Sequence, residues 1–156
     1  AVDATEWVGP YNDYFMKFYE AAKYYYTGGM HEPGGGLGFG MNLDFWNNCT
    51  DHEKAVITAA CMEENAAQPE EAMANNGTYL QKLVDEHGTQ LRSYNDDVWD
   101  AFGEASAEVF EETRQHSEMA ARVNDSYMSA LRDIGGFRAI AEIEFSQQRN
   151  RVLGLT

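Results

Sequence analysis

Apolar residues recur along this chain with two different periods, and the change between them falls near residue 50. Before that point the segments are short and aromatic. Residues 2–8 fit a short strand. Pro10, followed by Phe15, Phe18, Tyr19 and Ala22, predicts an amphipathic helix running to about Ala22. Lys23-Tyr24-Tyr25-Tyr26-Thr27 then reads as a strand that Gly28 and Gly29 end, residues 30–36 as a loop, and residues 37–42 as another alternating strand. Residues 43–48 fit one helical turn.

From Thr50 the period becomes helical. Thr50 and Glu53 have capping-box spacing, and Ala55, Ala59 and Met62 follow on one side of the predicted helix. Pro69 predicts a kink or boundary inside it, because proline lacks the N–H that a helix interior uses. Asn75-Asn76-Gly77 interrupts the pattern, residues 79–86 resume it, and His87-Gly88 predicts a left-handed end. Residues 89–94 read as a strand, and Asn95 as the cap of the next helix. Val98, Phe102, Ala105 and Val109 recur at helical spacing, as do Ala120, Val123, Tyr127, Leu131 and Ile134, so two helices are each expected to bury one face. Gly135-Gly136 is expected to separate a last amphipathic helix that carries Phe137, Ile140 and Ile143 and ends near Arg149 and Arg151.

With 156 residues, 44% of them hydrophobic and 13% aromatic, the chain is expected to fold as one unit with a hydrophobic core. Eleven basic against 26 acidic side chains give a net charge of −15. Such a field repels phosphate backbones and anionic lipid, which argues against nucleic acid and membrane-surface partners. No apolar run reaches the roughly 18 residues of a membrane span, and no signal-peptide pattern opens the chain, so any export signal is expected outside it. Cys49 and Cys61, the only cysteines, lie about 18 Å apart on a helical rise, beyond disulfide reach, and are expected to be buried or half-buried thiols.

Several motifs invite chemistry without supporting it. Gly34-Gly35-Gly36-Leu37-Gly38-Phe39-Gly40 lacks the Gly-Lys-Ser/Thr that opens a phosphate-binding helix, and its glycines do not have dinucleotide spacing. His31-Glu32 starts like a zincin motif, but the second histidine is missing and Pro33 blocks the helix that would align the pair. The glutamates at 63, 64, 70 and 71, and at 108, 111 and 112, read as solvated helix faces, and the glycosylation sequons at Asn48, Asn76 and Asn124 as accidental. No nucleophile-elbow pattern occurs, and an enzyme is not expected.

The block Asp3-Ala4-Thr5-Glu6-Trp7-Val8-Gly9-Pro10-Tyr11-Asn12-Asp13, then Tyr24-Tyr25-Tyr26 and His31-Glu32-Pro33-Gly34, is more specific. It resembles the C-terminal lobe of the solute-binding subunit of tripartite ATP-independent periplasmic (TRAP) transporters, in the branch that binds 2-oxo acids and related small carboxylates. The resemblance runs over essentially all 156 residues, with Glu-Trp-Val-Gly-Pro-Tyr as its most distinctive part. It implies an α/β fold: a helix-rich lobe with a few short strands, residues 1–156 forming the C-terminal lobe of a two-lobed clamshell. The family is about twice this length, and its N-terminal lobe, with the arginine that pairs with the substrate carboxylate, has no counterpart here.

By motif, the resemblance also implies a bound cation, Na⁺ or Ca²⁺, bridging protein and substrate at Glu6, Trp7 and Glu32, with no organic cofactor. The electrostatics agree, since carboxylates around an anion repel it unless a cation intervenes, and hard cations take oxygen ligands. Two glutamates and the Trp7 carbonyl supply such oxygens, and the Trp7 ring is expected to form an apolar wall against the substrate. The function implied is periplasmic capture of a small organic anion for delivery to TRAP membrane subunits. A homodimer formed through the last helix is expected. The alternative is an acidic helical interaction module that self-associates and binds no small ligand.

Overall fold

In the structure, a computed structural model that describes residues 2–32 and 34–155, the chain divides into two compact units, residues 1–95 and 96–156. The expectations resting on Pro33 lie outside the described residues. The first unit comprises α1 (Pro10–Phe15), a 3₁₀ turn (Phe18–Glu20), β1 (Tyr24–Thr27), α2 (Leu43–Asn48), α3 (Asp51–Asp85) and β2 (Gln90–Ser93). The strands β1 and β2 pair in parallel, Tyr24 opposite Gln90 through Thr27 opposite Ser93. Parallel strands need a long crossover, and α2 and α3 supply it.

α3 starts where the capping box predicts. Thr50 accepts from the Glu53 N–H, and the Glu53 carboxylate accepts from the Thr50 N–H at 2.7 Å. The bonds that the Glu53 carboxylate accepts from the Thr50 N–H and then from the Thr50 hydroxyl hold it below its ordinary pKa. Its far end also follows expectation: Gly88, at φ 68°, turns the chain so that the Thr89 N–H returns to the Leu83 carbonyl at 3.0 Å. α1 packs on this C-terminal part of α3, around the buried Leu83.

Several sequence expectations for this unit change. Residues 2–8 and 37–42 form no strand, because a strand needs a ladder and β1 is paired only with β2 among the described residues. The first helix ends at Phe15 rather than near Ala22. Lys17 takes a left-handed conformation, φ 58°, and the redirected chain lays Tyr19 flat on His87, 3.6 Å between rings and 12° between planes. α3 runs unbroken through Pro69 and Asn75-Asn76-Gly77. Pro69 withdraws one helical N–H on a stretch that is solvent-exposed, where water satisfies the freed carbonyl, and 35 residues of helix carry the local loss. Cys61 is exposed on that stretch, not buried as expected, whereas Cys49 is half-buried; both are free thiols. Ala55, Ala59 and Met62 are exposed there too.

The second unit comprises α4 (Asp96–Gln115), α5 (Glu118–Arg138), a π-helical turn (Ala139–Ile143) and α6 (Glu144–Leu153). α4 and α5 pack as a hairpin, capped at the turn by Ser117, whose side chain accepts from the Ala120 N–H. Phe110 stacks on Tyr127 and Arg114 pairs with Asp125 at 2.8 Å, which lowers the pKa of the Asp125 carboxyl. Gly135 and Gly136 do not separate the last helix: α5, the π turn and α6 are continuous. A glycine inside a helix costs about 1 kcal/mol, and helix on both sides absorbs it. The expected buried faces of α4 and α5 are only partly covered, since Val109, Val123 and Ile134 are each about 60% exposed.

Candidate functional site

The segment that carries Glu6 and Trp7 leads into α1, and the one that carries Glu32 follows β1. Two features anchor α1 to α3. The Tyr11 N–H, a first-turn donor with no partner inside its own helix, is accepted by Asn76 Oδ1 at 3.0 Å. The Tyr11 hydroxyl donates to Glu71 at 2.9 Å, and this hydrogen bond, then the carboxylate's charge, raises the phenol pKa. Around them Tyr11, Tyr14 and Phe15 meet Tyr79 at ring distances of 5.0 to 5.3 Å, and Lys82 lies 4.6 Å over the Tyr79 ring.

The second anchor joins α1 to the sheet. Tyr25 of β1 donates to Asp13 Oδ2 at 2.6 Å, and Asp13 is only 6% exposed. Burial, and then this bond to Asp13, push the Tyr25 phenol far above its ordinary pKa of 10.0. β1 in turn leads through Gly28, at φ 100°, into the loop that holds Glu32.

The predicted ligands themselves are on the surface. Glu6 is exposed on the irregular segment before α1, and Trp7 beside it is 53% exposed. Glu32 is exposed at the end of a turn in which its N–H bonds to the Gly29 carbonyl at 3.1 Å. These are two separate loops, each tied to one side of the Asp13–Tyr25 joint. No group of three or more His, Cys, Asp and Glu side chains is gathered for a metal among the described residues. Glu6 and Glu32 therefore belong to no such cluster. Ring stacking of Trp7 on another aromatic, which would mark it as a core anchor, does not occur among the described residues.

Sequence reasoning missed Asp13 and Asn76. Asp13 sits one turn along from Pro10 at a position that reads as an ordinary polar residue, and Asn76 lies in a stretch read as a break. The available signal for Asp13 is that it projects from α1 toward the Tyr-rich strand that follows, where a phenol needs an acceptor when buried.

Residues 1–116 match the family described as bacterial extracellular solute-binding protein, family 7. The chain is 30% identical, over 145 residues, to a monocarboxylate 2-oxoacid-binding periplasmic protein of Nostoc sp. strain PCC 7120; the match covers 93% of this chain and 40% of that protein. It is also similar to the crystal structure of a TRAP transporter solute-binding protein of Bordetella bronchiseptica RB50. The TM-score is 0.86 at 24% identity, covering 98% of this chain and 45% of that one. That structure is a mixed-occupancy dimer with copurified calcium and picolinate in one site and the other site apo. The likeness shows the helix-rich fold with its small sheet to be that of a TRAP solute-binding protein, and the chain spans less than half the length of these relatives.

Proposed function

The chain belongs to family 7 of the bacterial extracellular solute-binding proteins, and on that premise we propose that it is the C-terminal lobe of a periplasmic capture protein for a small organic carboxylate. The observation that carries the proposal is the family match itself, which runs through residues 1–116 and so through both acidic loops. The Nostoc relative binds monocarboxylate 2-oxoacids, and the Bordetella structure holds a carboxylate together with a hard cation.

Glu6, Glu32 and the Trp7 carbonyl are assigned to a bridging cation, Na⁺ or Ca²⁺, and the Trp7 ring to the apolar side of the ligand. A cation that takes six or more oxygens would leave positions open on so small a protein set, and a substrate carboxylate fills them. Charge then fits without a cationic side chain from this lobe. Closure over ligand by a second lobe and presentation to TRAP membrane subunits follow from the same reading. Catalysis is not part of it, since the family and fold are those of transporter solute-binding proteins.

Calorimetry on the whole protein, stripped of metal and titrated with pyruvate in the presence and absence of Na⁺ or Ca²⁺, tests the proposal. Saturable binding that needs the cation is the expected result. Binding of equal strength after chelation removes the bridging role, and no binding of any small carboxylate removes the function.

A further inference from the structure

Asp13 and Thr89 each bury a side-chain oxygen, Oδ1 and Oγ1 respectively, that has no hydrogen-bond partner. Both residues are 6% exposed. They line the same narrow cavity of about 20 Å³, with Leu83 and Tyr25 also in its wall. Buried polar atoms in native proteins are almost always satisfied, and a space of this size with polar groups on its wall suffices for one ordered water.

We propose that this cavity is a binding site for a single water molecule, which donates a hydrogen bond to Asp13 Oδ1 and accepts one from the Thr89 hydroxyl. With Tyr25 Oη on the other carboxylate oxygen, the water completes a chain from Tyr25 through Asp13 to Thr89. That chain ties three pieces of backbone at one point: β1, α1, and the turn at Gly88 that leads from α3 into β2. A monatomic cation is a poorer occupant, because the protein offers it two oxygens where hard cations take six or more. The site is independent of the proposed function, although it underlies the elements from which Glu6 and Glu32 extend.

High-resolution crystal structures and melting curves of the chain with Thr89, Thr89→Ser and Thr89→Val test the assignment. The expected result is one ordered water within hydrogen-bond distance of both oxygens, kept in Thr89→Ser and lost or displaced in Thr89→Val, with a melting temperature lower by several degrees only in the valine variant. An empty cavity in the wild type, a protein donor on Asp13 Oδ1, or density that appears only with added Na⁺ or Ca²⁺ overturns it. Should the valine variant fail to fold, the wild-type and serine structures decide the question between them.

Discussion

The hydroxyl of Tyr25 donates to Asp13 Oδ2 at 2.6 Å, so a strand residue and a helix residue twelve positions apart fix the corner from which both acidic loops depart. Tyr25→Phe keeps the ring and removes the donor, leaving a buried carboxyl with neither oxygen bonded by protein. Loss of a hydrogen bond to such a group costs roughly 2 kcal/mol. Urea unfolding should show a lower midpoint with an unchanged m-value.

The same pair gives a pH dependence with a definite sign. The phenol pKa of Tyr25 is raised in the folded state above its ordinary value of 10.0. The folded protein therefore binds more protons than the unfolded one in the window above pH 10, and the stability from this group, fully present below that value, is lost as pH rises through the folded pKa. The unfolding free energy should fall more steeply above pH 10 in the wild type than in Tyr25→Phe. Equal slopes would show that Tyr25 is no different from the exposed tyrosines.

Helix period, capping and turn chemistry were legible without coordinates. Thr50 and Glu53, Gly88, and the strands at Tyr24 and Gln90 lie where local chemistry puts them, because those signals act over a few residues. Pro69, Gly77, Gly135 and Gly136 set no helix boundary, since a breaker sets a cost and the length of the surrounding helix decides whether it is absorbed. Asp13 and Asn76 were invisible for another reason: their partners, Tyr25 and Tyr11, are supplied by other elements. Glu6, Trp7 and Glu32 rest on motif alone, and no periodicity distinguishes them from solvated loop residues.

Asn76 acts on α1 as a cap supplied by another helix. Asn76→Ala should cost about 1 kcal/mol, the usual loss for removing a capping acceptor, and the Tyr11 amide should exchange faster with solvent. Asn76→Asp keeps the acceptor and should restore protection at Tyr11. If the alanine variant leaves Tyr11 exchange unchanged, the bond carries no weight in α1.

Gly135 and Gly136 lie in continuous helix, neither has a positive φ, and a Cβ at either meets nothing within 4 Å. Gly135→Ala and Gly136→Ala should each stabilise the chain by about 0.5–1 kcal/mol through helix propensity. Destabilisation in thermal melts would instead mark the pair as a joint that must bend.

For ligand capture, Glu32→Gln and Glu6→Gln in the whole protein should each weaken carboxylate binding by about tenfold or more, roughly 1.4 kcal/mol, by removing a charged oxygen from the cation. The effect should shrink as cation concentration rises. The resemblance puts the carboxylate-pairing arginine on the other lobe. Where a ligand at 100 times its dissociation constant stabilises a fold by ~2.7 kcal/mol, millimolar pyruvate with Na⁺ or Ca²⁺ should leave the melting temperature of the chain nearly unchanged. A large saturable rise would mean that these residues form a complete site.

Self-association through the C-terminal helix has a defined surface to act on. Phe137, Ile140 and Ile143 are 65%, 73% and 49% exposed, so the stripe is left largely uncovered within its own unit. Apolar side chains on the same region of a helix lose little by pairing with a second copy and remove their surface from water in doing so, at about 25 cal/mol per Å². Phe137→Glu combined with Ile140→Glu places two charges on the stripe without altering the helix, since glutamate is a good helix former. Light scattering should then report a monomer where the parent chain is a dimer, with helical circular dichroism unchanged. A double variant that remains dimeric excludes this stripe as the principal contact, and a parent chain that is monomeric at micromolar concentration removes the prediction altogether.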